Sequence, residues 1–131
     1  MVELEGLKYM NIQTINQNDK VIAVIKAEGL LITDTQSALD LIATVRYEIG
    51  CDRIALYKGN ISEDFFILST GVAGEILQKF INYKAKLAII GDFSKYSSKP
   101  LHDFIYESNR GGSIFFVGDQ EDAVRKLSEA R

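Results

Sequence analysis

Lys58, Asn60, Ser62 and Asp64 follow directly on the apolar run Ile54-Ala55-Leu56-Tyr57. A second polar group, Asp92, Ser94, Lys95, Tyr96, Ser97, Ser98 and Lys99, follows Leu87-Ala88-Ile89-Ile90, and Asp119 follows Ile114-Phe115-Phe116-Val117. If the three runs are parallel strands, all these residues collect at the carboxyl edge of one sheet, where open α/β sheets bind ligands. Lysines and helix-start N–H groups there can hold an anion, with Asn60 and the hydroxyls orienting it. Asp92 and Asp119, with Glu63 or Asp64, offer hard oxygen ligands of the kind that hold Mg²⁺. The competing reading is that these loops are polar because they are wet, and that Ser62, Ser98 and Asp119 are helix caps.

The remaining reactive residues give weaker signals. Asn109-Arg110-Gly111-Gly112 is glycine-rich and basic, but it ends a helix and enters a strand, so a C-cap with Arg110 on the helix dipole fits better than a phosphate cradle. Neither GxxxxGK[ST] nor GxGxxG occurs. Cys51 follows a helix end, where a thiolate is disfavoured. His102, the sole histidine, lies in a first helical turn that favours its neutral form. Both read as structural. Ser69-Thr70 and the hydroxyls of Ser94–Ser98 are open to phosphorylation. Phe93, Tyr96 and Tyr106 form either an aromatic docking patch or, for at least two of them, part of the core.

The elements that must position these groups are legible from periodicity. Met10–Ile15 alternates apolar with polar, Asn16-Gln17-Asn18-Asp19 supplies a turn, and Val21–Ile25 is a more buried strand, together an N-terminal hairpin. Thr33, Asp34 or Thr35 caps a first helix whose inner face is Ala38, Leu41, Ile42, Val45 and Ile49, and Gly50 stops it. The second helix has two possible starts. Ser62 caps it in one; in the other it begins at Ser69 or Thr70, with Phe65–Leu68 a turn that plugs the core. Phe65, Leu68, Val72, Ile76 and Phe80 form its stripe, flanked by Ala73, Leu77 and Ile81. Gly71 and Gly74 interrupt it, which a tight backbone contact would explain. Pro100 opens a third helix with Leu101, Phe104 and Ile105 inward. Asp119 caps a fourth with Ala123, Val124 and Leu127 inward, and Lys126 and Arg131 suit its end. Continuous apolar strands alternating with helices imply parallel strands joined by crossovers. The expected fold class is α/β, a mixed, mainly parallel sheet with an N-terminal hairpin and four helices.

At 131 residues and 47% hydrophobic, the chain suits one domain spanning 1–131, with an ordered core about 8–128. A net charge of −3 with both signs intermixed argues against nucleic acid or an anionic membrane as partner. No apolar run approaches the ~20 residues needed to span a bilayer. The opening Met1–Gly6 is acidic and lacks a signal-peptide pattern, so the expected location is cytoplasmic. A single cysteine excludes an internal disulfide.

Two resemblances add to this reading. The order hairpin, helix, strand, helix, strand, helix, strand, helix, with Ile54–Ile61 as central strand and loop and Asp119–Leu127 as closing helix, resembles the STAS-type domains of bacterial anti-sigma factor antagonists. Those domains carry a phosphorylatable Ser after an Asp at the start of the second helix; here the region is Ser62-Glu63-Asp64-Phe65-Phe66, and Phe65 stands about where that Ser would be. More closely, Phe65-Phe66, Gly74–Phe80, Ala88–Phe93 and Asp103–Gly111 together resemble a small bacterial family known only as a domain of unknown function. That resemblance implies a bacterial cytosolic protein.

The leading expectation is a non-enzymatic regulatory or protein-interaction module with a protein partner or self-association. Its surface is the Lys58–Asp64 loop plus the second helix, with the Phe93–Lys99 loop beside it, and its candidate contact residues are Lys58, Asn60, Ser62, Asp64, Asp92, Ser94, Lys95 and Tyr96. No catalytic residue, metal site or cofactor is assigned, and the ligand is unknown. The alternative is a small-molecule or anion binder, or an enzyme, using the same strand-end loops. The Met10–Ile15 strand is a candidate free edge for pairing with another copy.

Overall fold

Asn18 and Asp19, with φ of 55° and 63°, form a two-residue turn whose left-handed backbone matches the twist of a hairpin. The strands therefore extend further into the expected turn than alternation suggested: β1 is Asn11–Gln17 and β2 is Lys20–Lys26, paired antiparallel from Gln17↔Lys20 to Asn11↔Lys26. The computed structural model describes residues 10–131. The acidic opening Met1–Gly6, and residues 8 and 9 of the expected core, lie outside the described residues.

Beyond the hairpin, helices and strands alternate. Helix α1 (Thr35–Ile49) starts on a capping box in which the Asp34 carboxylate accepts from the Ser37 N–H and the Ser37 hydroxyl accepts from the Asp34 N–H. It ends at Gly50, whose φ of 75° suits a residue without Cβ. Strand β3 (Arg53–Tyr57) leads to short 3₁₀ turns at Lys58–Asn60, Glu63–Phe66 and Leu68–Thr70. Then come α2 (Val72–Asn82), β4 (Lys86–Ile90), α3 (Lys99–Arg110), β5 (Ile114–Val117) and α4 (Gln120–Glu129).

The sheet runs β1-β2-β3-β4-β5, and every pair after the hairpin is parallel. When each crossover moves one strand in the same direction with the same right-handed sense, all three crossover helices fall on one face. The core divides accordingly. Ala23, Ile25, Ile54, Leu56, Leu87, Ile89, Ile114 and Phe116 pack with α1, α2 and Leu101 of α3. The alternate residues Ile22, Val24, Ala55, Ala88, Ile90, Phe115 and Val117 pack under Ala123, Val124 and Leu127 of α4. Both faces are covered, which is why these strands read as unbroken apolar runs.

The second helix begins at Val72, two residues beyond the later of its two expected starts, and Leu68–Thr70 forms a 3₁₀ turn instead. Ser62 caps only a 3₁₀ turn, its hydroxyl 3.4 Å from the Asp64 N–H. Phe65 and Phe66 are buried as a plug. Gly71 is the α2 N-cap with φ of 78°, a conformation that accounts for that glycine. The tight contact expected at Gly74 is absent, since a Cβ there would meet nothing within 4 Å. Ile81, expected beside the inner stripe, is 49% exposed. Arg131 lies beyond α4, leaving Lys126 as the basic residue of its last turn.

Candidate functional site

The turn after β3 and the loop after β4 meet above the aromatic part of the core. Phe66 packs edge-on against Phe65 at 5.0 Å between ring centres and stacks on Tyr96 at 5.4 Å with 16° between planes. Phe93 joins Phe66 at 6.0 Å and Phe116 at 5.4 Å. Phe93 and Tyr96 thus pack against the core, while Tyr106 stays 61% exposed beneath the guanidinium of Arg110.

Lys58 and Tyr96 are brought together on this base. The Lys58 ammonium lies 5.0 Å from the centre of the Tyr96 ring and 5.5 Å from that of Phe66, a cation–π arrangement. The Tyr96 hydroxyl donates to Glu63 Oε2 at 2.6 Å, and Glu63 Oε1 is 4.0 Å from the Lys58 ammonium. Contact with the Tyr96 side chain, opposed by partial burial, holds the Lys58 pKa above the usual lysine value. Burial pushes the Tyr96 phenol up, and its hydrogen bond to Glu63 adds to that. Gly91 makes room for Lys58: a Cβ on Gly91 would lie 2.7 Å from Lys58 Cβ.

The other expected site residues turn inward or stand apart. Asn60 is 5% exposed, and its side-chain amide donates to the carbonyls of Ala27 at 2.9 Å and Gly29 at 2.7 Å. Its own carbonyl accepts from Leu31 and Ile32, and Ile61 bridges to Ile32, so Asn60 clamps the β2–α1 loop to β3. Asp92 Oδ1 accepts from the Ser94 N–H at 3.0 Å and the Ser94 hydroxyl at 2.6 Å. Those two bonds, the hydroxyl first, lower its pKa, helped by Lys95 and Lys58. Asp64 and Lys95 are exposed, Asp64 contributing its carbonyl to Ile67 and to the Thr70 hydroxyl. Ser98 and Asp119 cap α3 and α4.

The Mg²⁺ arrangement does not form. Asp92 and Asp119 are occupied with Ser94 and with the α4 start, and among the described residues no three His, Cys, Asp or Glu side chains gather as a metal-binding group. Cys51 is buried with its thiol 3.0 Å from the Val21 carbonyl, and burial raises its pKa. His102 reaches the Tyr96 carbonyl through Nε2 and so ties the loop to α3. A groove of about 490 Å³ lies at the ends of β2 and β3, lined by Lys26, Ala27, Gly29, Tyr57, Gly59 and Asn60. Among the described residues no helix is long and apolar enough to cross a membrane.

Two features escape sequence reasoning. Glu63, weighed above only as a metal ligand, is the acceptor for a tyrosine 33 positions away, and no local spacing signals that pairing. Ile67 sits 49% exposed between two 3₁₀ turns, where helical periodicity gives no reading. No curated protein matches the chain. A family model described as a domain of unknown function, DUF4180, matches residues 17–127. Since that match runs from the last residue of β1 into α4, the chain belongs to the DUF4180 family.

Proposed function

We propose that this protein is a non-enzymatic regulatory or protein-interaction module of STAS-like architecture, working in a bacterial cytoplasm. Its docking surface comprises the Lys58–Asp64 turn, the 3₁₀ turns leading into α2, and the Phe93–Lys99 loop. The observation that carries this reading is the use of the strand-end polar groups. Lys58, Glu63 and Tyr96 satisfy one another, Asp92 bonds to Ser94, and Asn60 is spent on two backbone carbonyls. No nucleophile paired with a base is among them. What this surface offers outward is shape, the half-exposed apolar Ile67, and separate charges on Asp64 and Lys95. That pattern suits recognition of a protein better than bond making.

Phe65 adds a qualification drawn from the likeness to anti-sigma factor antagonists. It stands about where their phosphorylated Ser would be, and it is fully buried. A partner would therefore be held without a phosphate switch at that position. The alternative, a small-molecule or anion site, is favoured by the groove at the ends of β2 and β3. The test is affinity isolation from the protein's own cells with wild type and Ile67→Asp in parallel. A stoichiometric partner retained by wild type and lost with Ile67→Asp supports the module. Absence of any partner, together with thermal stabilisation by a nucleotide, phosphate or divalent ion, would overturn it.

A further inference from the structure

The two edges of the sheet are treated differently. At the β5 edge, Asn109 of α3 lays its amide against Phe116: Oδ1 accepts from the Phe116 N–H at 2.6 Å and Nδ2 donates to the Phe116 carbonyl at 3.1 Å. Ser113 and Val117 give their carbonyls to β4, so by alternation Phe116 faces outward, and Asn109 closes that side as a partner strand would. Strand β5 is also only four residues long. Such blunting is how sheet edges avoid adding strands.

Strand β1 has none of these protections. Its seven residues, Asn11-Ile12-Gln13-Thr14-Ile15-Asn16-Gln17, carry no charge and no proline, and they pair with β2 residue for residue without a bulge. In a two-residue hairpin the residues flanking the turn form a hydrogen-bonded pair, so Gln17, Ile15, Gln13 and Asn11 bond to β2. Ile12, Thr14 and Asn16 therefore direct both N–H and C=O away from the sheet, and among the described residues no strand lies on that side. The edge is also held in place: Gln17 and Asn18 each donate to the Ser128 hydroxyl of α4 at 3.2 Å. Ile12 packs on the core of the α1–α3 face and Ile15 on that of the α4 face.

We infer that β1 is a self-pairing edge, which joins two copies of this chain antiparallel about a two-fold axis at Thr14 into one continuous sheet. The sequence of the strand favours a second copy as occupant. About Thr14, Thr faces Thr, Ile12 faces Asn16, Gln13 faces Ile15 and Asn11 faces Gln17, so no like charges oppose each other. Ile12, Thr14 and Asn16 would each exchange two backbone bonds with their opposite numbers, about six in all. On the α4 side, the groove of about 530 Å³ that Ile15 and Val124 line with Glu121 and Arg125 adjoins the seam and carries both charge signs. This contact is separate from the strand-end surface.

The test uses the full chain. Sedimentation equilibrium of the wild type should give twice 14.6 kDa, and Thr14→Lys, which opposes two cations at the axis, should give 14.6 kDa with unchanged circular dichroism. Because association stabilises the folded chain, the wild-type Tm should rise with protein concentration and that of Thr14→Lys should not. The register is tested by cysteine. Thr14→Cys brings two thiols to a hydrogen-bonded pair with Cα atoms about 5.5 Å apart, within disulfide range, and should oxidise to a covalent dimer. Asn16→Cys, facing Ile12 of the other copy, should not. Equal cross-linking at both positions would overturn the inference, as would a wild type that stays monomeric throughout the micromolar range.

Discussion

Replacing Asn60 separates a clamp from a ligand contact. In Asn60→Ala two hydrogen bonds, of 2.9 Å and 2.7 Å, disappear, while the bonds from Leu31 and Ile32 to the residue 60 carbonyl stay. Each bond contributes about 1 kcal/mol, and a carbonyl left in a poorly hydrated place adds up to about 1 kcal/mol more, so the loss is about 3 kcal/mol. At about 2.1 cal/mol/K per residue, the 131-residue chain has an unfolding entropy near 0.28 kcal/mol/K, and its Tm should fall by about 11 °C. Asn60→Asp should fall further, because a carboxylate lacks the donors and faces two carbonyl oxygens. Thermal and urea unfolding measure both, with an unchanged urea slope expected. If both variants melt within about 2 °C of wild type, Asn60 is not the clamp of the β2–α1 loop and the ligand-contact reading regains ground.

Phe65→Ala removes a fully buried ring from the plug under the strand-end surface and should cost about 3–5 kcal/mol in urea titration. Gly91→Ala sets a methyl 2.7 Å from Lys58 Cβ and should cost about 1–3 kcal/mol, with displaced Lys58 and Tyr96 side-chain signals in NMR spectra. Asp34 has its pKa lowered from about 3.8, first by the Ser37 N–H and then by the Ser37 hydroxyl. A group with a depressed folded pKa stabilises above its unfolded pKa, and that contribution is lost as pH falls through the folded value. Wild type should therefore exceed Asp34→Asn in Tm near neutrality, and the gap should close on descent below pH 3.8. The Tyr96 phenol should titrate above 10.0, seen as an ultraviolet difference step that Tyr96→Phe abolishes.

The strands and most helix starts were legible because their causes are local. Asp34 and Ser37 lie three positions apart and cap each other, and Gly50 follows the last turn it terminates. The apolar runs of β3, β4 and β5 are continuous because helices cover both faces, a pattern any window along the chain displays. The stretch from Ser62 to Gly71 was ambiguous for the opposite reason. Phe65 and Phe66 sit at spacing compatible with a helix, but the pocket they fill is made by Phe93, Tyr96 and Phe116, and that burial favours 3₁₀ turns. The polar strand-end residues lie at the carboxyl edge that the apolar runs imply, yet their partners are not legible in the sequence. Asn60 bonds to residues about thirty positions earlier and Tyr96 to one 33 positions earlier, distances over which sequence carries no pairing signal.

Docking of a protein on the turns from Lys58 to Thr70, with the Phe93–Lys99 loop beside them, is the proposed function. The most direct measurement is hydrogen exchange on the complex isolated from native cells, compared with the free protein. Slowed exchange confined to 58–70 and 93–99, relieved by Ile67→Asp, is the predicted result. Protection centred instead on 26–29, at the β2 side of the groove between the ends of β2 and β3, would contradict the account.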